Sequence, residues 1–153
     1  MAAEWFAEVS WRDAAPLRSA VLGWPEDPVP GDEDASTVHL ARLNESGRPT
    51  AVVSFSPHPR PDRPDARAVY LWGMGVSPGH QRRGLGTSLL GEVLLRARAG
   101  GAEAVWCDAR QSAVGFYMRF GGIVLGERYA DEVTGLADRR VIFELGDRAA
   151  VFP

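Results

Sequence analysis

The residues best suited to chemistry lie between positions 76 and 87, VSPGHQRRGLGT. They join an apolar run, AVYLWGMGV, to an amphipathic one, LGTSLLGEVLLRARA, so a strand is expected to lead into a helix through a loop carrying two arginines and closely spaced glycines. A helix N-terminus offers unpaired N–H groups and a partial charge of about +0.5, which suits a phosphate or pyrophosphate. A Walker loop is excluded, because Gly84 is followed by Leu85-Gly86 and not by Lys-Ser/Thr. A dinucleotide fingerprint started at Gly73 fails as well, since it meets Pro78 where its third glycine belongs.

What remains, Gln81-Arg82-Arg83-Gly84-Leu85-Gly86, resembles the Q/R-x-x-G-x-G/A signature of the GNAT superfamily of N-acetyltransferases. A second block strengthens the resemblance. Ala113, Phe116, Tyr117 and Gly121 fit the family's N-x-x-A-x-x-F-Y-x-x-x-G-F pattern at the right spacing, with Arg110 where Asn is usual and Gly122 where Phe is usual. The resemblance covers residues 68 to 129 well and the flanks only in layout.

The resemblance implies an α/β (α+β) fold: a mixed, mostly antiparallel central sheet with splayed central strands, flanked by helices on both faces. It implies acetyl-CoA as co-substrate, with the pyrophosphate held at Gln81, Arg82, Arg83, Gly84, Leu85, Gly86 and Thr87. The pantetheine arm would pair with backbone groups of Met74, Gly75 and Val76, and Arg110 and Phe116 would complete the cofactor side. Tyr117 would give a proton to the departing thiolate, a role that suits a phenol with a pKa near 10. The implied reaction is transfer of the acetyl group to an amine acceptor, whether small molecule, amino acid or peptide, by direct attack in a ternary complex. A non-catalytic acyl-CoA sensor or partner-binding module on the same fold is the alternative. Taken without the motifs, Tyr117 is a core tyrosine on a helical stripe with Ala113, Phe116 and Phe120.

The general base stays unassigned. Residues 68 to 76 hold no carboxylate, and Asp108, Glu127 and Asp131 are the candidates near the expected cleft. Cys107 reads as a small buried strand residue, with no histidine nearby in sequence to support a ping-pong route. Gly73 and Gly75 strip one face of their strand, which fits a bulge, a close approach of another chain, or plain packing. The stretch PEDPVPGDED carries Glu26, Asp27, Asp32, Glu33 and Asp34, and reads either as a solvated connector or as a lure for a cationic amine.

With 153 residues, 45% apolar and 24% charged, residues 1–153 read as one globular domain. A chain of that length buries roughly 70% of its unfolded surface, so neither metal nor disulfide is needed. One cysteine excludes an internal disulfide, and three histidines without ligand spacing give no metal site. The start MAAEWFAEV lacks the charged and apolar regions of a signal peptide, so a cytoplasmic protein without membrane contact is expected. A net charge of −3 argues against nucleic acid as a partner, and a homodimer is left open. Strands are expected at 5–9, 37–43, 50–55, 68–76, 104–109, 123–129 and 139–145, and helices at 13–22, 84–99 and 112–120. Residues 56–66, SPHPRPDRPDA, read as an extended surface loop.

Overall fold

The computed structural model describes residues 5–81, 83–130 and 137–146. In chain order the elements are β1 (Trp5–Val9), α1 (Trp11–Leu22), β2 (Val38–Leu43), β3 (Pro49–Pro57), β4 (Ala68–Val76), α2 (Leu85–Ala99), β5 (Ala104–Arg110), α3 (Val114–Arg119), β6 (Ile123–Ala130) and β7 (Ala137–Glu144). The strands form a seven-stranded sheet ordered β1-β2-β3-β4-β5-β7-β6. β4 and β5 pair in parallel, from Ala68 opposite Ala104 to Tyr70 opposite Trp106. β1–β2, β2–β3, β5–β7 and β6–β7 are antiparallel. The expected mixed, mostly antiparallel α/β fold is the observed one. No helix among the described residues is long and apolar enough to cross a membrane.

α1 begins two residues before its expected start, because Ser10 closes a capping box: its hydroxyl accepts from the Asp13 amide at 3.3 Å while the Asp13 carboxylate receives the Ser10 amide at 3.2 Å. Pro16 therefore sits beyond the first turn, where its missing N–H removes one intrahelical bond. The helix stops at Gly23, whose φ of 72° is the left-handed cap that glycine adopts without penalty.

The chain divides into two compact units, Met1–Pro57 with Leu71–Leu95 and His58–Tyr70 with Arg96–Pro153. In the first, α1 lays Ala14 and Leu17 against Ala41 and Leu43 of β2 and Val52 of β3. A charged residue occupies the same interior. The side chains of Arg18 and Asp32 are both 0% exposed, joined by Nη1–Oδ1 and Nη2–Oδ2 hydrogen bonds of 2.8 and 2.6 Å. The Val29 amide also donates to Asp32 Oδ2 at 2.9 Å. His39 Nε2 lies 3.1 Å from the Asp32 carbonyl, which can only accept, so Nε2 carries a hydrogen, and Nδ1 lies 2.7 Å from Ser54 Oγ. Burial alone raises the Asp32 carboxyl, but the Arg18 and Val29 hydrogen bonds and the charges of Arg18 and His39 outweigh it and hold the group below the usual carboxylate value. Asp32 is thus core, which corrects its place in the solvated acidic stretch.

In the second unit Ala68, Tyr70, Ala104, Trp106 and Ile142 pack together. The proline-rich segment is less loose than expected. Arg60 is 3% exposed, gripped through Nε and Nη2 by Asp62 at 2.9 and 2.8 Å and through Nη1 by Glu144 at 2.7 Å. The His58 carbonyl accepts from Trp106 Nε1 at 3.0 Å, which fastens the segment to β5.

Replacing Arg18 by Met strands a buried carboxylate and is expected to cost about 3–5 kcal/mol in urea unfolding, whereas Arg18→Met with Asp32→Leu recovers most of that loss. Because Asp32 is depressed in the folded state, its contribution is complete above the ordinary carboxylate range and disappears as pH falls through the lowered value. The stability of the parent relative to the double variant, which has neither charge, should therefore fall in acid.

Candidate functional site

From Val69 on, β4 alternates: Val69, Leu71, Gly73 and Gly75 are buried, and Tyr70, Trp72, Met74 and Val76 half-buried, with Leu71–Val76 in the first unit. Gly73 has φ 65°, and a Cβ there would meet Arg18 Cδ at 3.0 Å and Trp24 Cζ3 at 3.2 Å. It is barred to other residues twice over, by backbone and by space. At Gly75 a Cβ would lie 3.5 Å from Val21, an ordinary contact, so this glycine packs on α1. The stripped face is filled by the chain's own helix.

The loop after β4 is pinned at its start by the Ser77 amide, which donates to the Thr50 carbonyl at 2.8 Å. A single 3₁₀ turn, Pro78–His80, follows, and Gln81 then extends at φ −66°, ψ 155° with its Nε2 donating to the Val76 carbonyl at 3.3 Å. Gly84 turns the chain into α2 at φ 77°, and its carbonyl takes the first helical bond, from the Ser88 amide at 2.9 Å. The amides of Leu85, Gly86 and Thr87 thus have no carbonyl four residues back within the helix, and Gly84 has no side chain to cap them. No acidic residue lies in that first turn. Leu85 is buried and anchors the turn, Gly86 is half-buried, and Gln81, Arg83, Gly84 and Thr87 are exposed. Arg82 lies outside the described residues. This end of α2 has the donors, the open space beside Gly84 and the positive pole that a pyrophosphate requires.

The other residues expected to act lie in the second compact unit. β5 ends at Arg110, which enters a 3₁₀ turn, Gln111–Ala113, continuous with α3. Arg110 and Phe116 are half-buried, and Tyr117 is buried at 7% exposure. The Tyr117 ring meets Phe116 and Phe143 edge-on, at centroid distances of 5.2 and 6.0 Å. Burial, then the neighbouring Cys107, pushes the phenol far above its usual value, so it is a proton carrier throughout the neutral range. Cys107 is itself buried and its thiol is pushed up by burial and by the charges of Asp108 and Asp138, which leaves it inert, as expected for a packing residue.

Gly122 stands where a Phe is usual, and space dictates it. A Cβ there would meet Val141 Cγ1 at 2.5 Å, the Tyr117 carbonyl at 3.0 Å and Phe143 Cε1 at 3.1 Å. The Gly122 amide donates to that same carbonyl at 2.9 Å.

Of the carboxylates considered as bases, Glu127 is exposed and Asp131 lies outside the described residues. Asp108 belongs to a cluster that the sequence did not reveal. Its Oδ2 accepts from the Tyr70 hydroxyl at 3.0 Å, and its Oδ1 accepts from the Tyr129 hydroxyl and, at 3.4 Å, from Arg140 Nη2. The only signal available was parity: Trp106 and Asp108 are two residues apart on β5 and so share a face, and Asp108 is half-buried between buried neighbours, as Tyr70 is on β4. Among the described residues no group of three or more His, Cys, Asp or Glu is placed to hold a metal ion.

Residues 4–122 match the Acetyltransferase (GNAT) family. The N-acetyltransferase YitI of Bacillus subtilis (strain 168), itself uncharacterized, is 30% identical over 113 residues, 74% of either chain. Among solved structures, FeeM, an N-acyl amino acid synthase from uncultured soil microbes, superposes with a TM-score of 0.76 over 95% of this chain and 92% of its own at 10% identity. An acyl-CoA N-acyltransferase from Pseudomonas aeruginosa gives 0.71 over 94% and 99% at 18% identity. The chain belongs to the GNAT acetyltransferase family. That membership implies a CoA thioester as one substrate.

Gly122→Ala is expected to destabilise the fold by about 1–3 kcal/mol, since Val141, Phe143 or the α3 carbonyl must move. Gly84→Ala, where a Cβ meets nothing, should cost only the left-handed backbone, about 1–2 kcal/mol. Thermal unfolding of the two variants ranks them.

Proposed function

We propose that residues 1–153 act as one GNAT-like domain that transfers the acetyl group of acetyl-CoA to an amine. The observation that carries this reading is the N-terminus of α2, where Gly84 leaves the amides of Leu85, Gly86 and Thr87 uncapped and no carboxylate competes for them. The pyrophosphate is held there, with Gln81 and Arg83 beside it, and Arg82, outside the described residues, is assigned to it by the motif alone. Backbone groups of Met74, Gly75 and Val76 take the pantetheine arm, and Arg110 and Phe116 lie on the cofactor side.

The amine nitrogen attacks the thioester carbonyl directly. The C–N bond forms, the C–S bond breaks, and the sulfur leaves with its electron pair and takes a proton from the Tyr117 hydroxyl. The nitrogen gives up a proton in the same turnover, so the balance is amide plus free CoA thiol. The assignment is supported by the place of Tyr117 in the motif; burial keeps the phenol protonated at neutral pH but makes it a weaker acid toward a thiolate, so the raised pKa adds no support of its own. A lysine-like acceptor enters mostly as ammonium, and its deprotonation at pH 7 costs about 4.6 kcal/mol, which water or an acceptor-side group must assist.

The sequence has no lysine, so the folded chain offers no ε-amine of its own and thiol release reports the added acceptor. Tyr117→Phe is expected to keep acetyl-CoA affinity within a few-fold and to lower kcat about 100-fold or more. An unchanged kcat would move the proton donor elsewhere. Gly86→Glu is expected to abolish CoA binding in calorimetric titration, because it sets an anion at the amides meant for phosphate. If the parent binds CoA and no amine, amino acid or peptide yields thiol, the chain is instead a non-catalytic acyl-CoA-binding module.

A further inference from the structure

In the first unit one indole is braced from two sides. A Cβ at Gly31 would lie 3.1 Å from Trp72 Cζ2 and 3.3 Å from Cη2, so the far edge of the ring rests directly on backbone. At φ 93° and against that ring, position 31 admits no larger residue without strain. The Gly31 carbonyl accepts from Thr37 Oγ1 at 2.7 Å, and the next residue, Asp32, is in the buried pair with Arg18. The stem of that same Arg18 occupies the space of a Cβ at Gly73, the residue after Trp72. Ring and main chain of Trp72 are thus held through one ion pair, and the indole cannot swing aside unless the pair gives.

The surroundings on β4 give this fixed ring a use. The face that carries Gly73 and Gly75 is filled by α1, with Arg18 at Gly73 and Val21 and Leu22 at Gly75. Trp72, Met74 and Val76 share the other face, and each stays half-buried. On the acetyl-transfer reading, on which this inference rests, the pyrophosphate is held at the N-terminus of α2 and the pantetheine arm runs back along β4 past Val76, Gly75 and Met74. The thioester then arrives beside Met74, and the next side chain on the same face is Trp72. Side chains two residues apart on a strand are separated by about 6.6 Å. An acetyl group fits within that interval. A chain several carbons longer, kept to this face because α1 closes the other, runs into the indole.

We propose that Trp72 is a specificity-determining residue that sets acyl length: it is a wall at the end of the cofactor strip that admits acetyl and its short homologues and turns away longer acyl chains. It acts by occupying space, not by touching the thiolate or the attacking nitrogen. Because the ring is backed by backbone, each methylene pressed against it costs about tenfold or more once the interval is full.

A series of straight-chain thioesters tests the wall. With one amine acceptor, kcat/KM of the parent, followed by thiol release, is expected to fall about 100-fold or more from acetyl-CoA to hexanoyl-CoA. Trp72→Leu should raise the hexanoyl-to-acetyl ratio about tenfold or more, and Trp72→Phe, which keeps a ring and disturbs packing less, about threefold. In calorimetric titration, free CoA has no acyl chain and should bind the parent and both variants with the same Kd within about twofold, a split that general loosening of the fold would not give. Hexanoyl-CoA should bind the parent more weakly than acetyl-CoA does, and Trp72→Leu should close that gap. Hexanoyl-CoA bound and used by the parent as well as acetyl-CoA overturns the wall and leaves the transfer reading standing. An unchanged ratio in two variants that keep their CoA affinity does the same. Trp72-dependent length discrimination in the titrations, without turnover of any amine, upholds the wall and overturns transfer. A parent that binds neither thioester overturns both.

Discussion

A guanidinium with no exposed side-chain surface constrains the first unit more than any other group. Moving one charge out of water costs several kcal/mol, and only a well-formed pair with its remaining donors and acceptors met offsets it. Arg18 and Asp32 are paired through two short bonds and Asp32 gains a third donor in the Val29 amide, while Arg18 Nε is buried without a hydrogen-bond partner. The consequences spread from there. The segment after α1 must return to place Asp32, Gly31 is carried to within van der Waals reach of the Trp72 ring, and Gly73 has to be glycine because the Arg18 chain and Trp24 fill the space of a Cβ. The conformation of β4 just before the candidate cofactor loop is therefore set partly by an ion pair behind it.

This explains which parts of the molecule could be read in advance. Elements that bury one face declare themselves by period, and β4 is the clearest case: its expected range, 68–76, is the observed one, and from Val69 on its burial alternates. The strand–Gly84–helix junction was equally legible, because glycine spacing and the change from period two to 3.6 are local properties. Groups whose fate depends on a distant partner were not. Among five neighbouring acids, Asp32 is core because Arg18 is there, Asp34 folds onto Ser36 through bonds of 2.8 and 2.7 Å, and Glu26, Asp27 and Glu33 are exposed. Arg60 finds Glu144 at a separation of 84 residues, and Asp108 finds Tyr70 at 38. No window on the sequence contains those pairs.

The two positions that depart from the family pattern show the same logic at the candidate catalytic helix. Both face β7. Arg110 lies opposite Asp138 in the β5–β7 ladder, an opposite-charge pair in place of the usual Asn. At 122 a ring and Phe143 cannot coexist, since even a Cβ comes within 3.1 Å of Phe143 Cε1. The aromatic volume that the pattern puts after α3 is supplied here from β7, where Phe143 meets Tyr117 edge-on. Gly122 then closes on the Tyr117 carbonyl, and the end of α3 is fixed by the backbone where a side chain would otherwise do it. The departures are a joint exchange between the α3 end and β7 that leaves Tyr117 buried and clamped, so they do not by themselves argue that the tyrosine has lost its use.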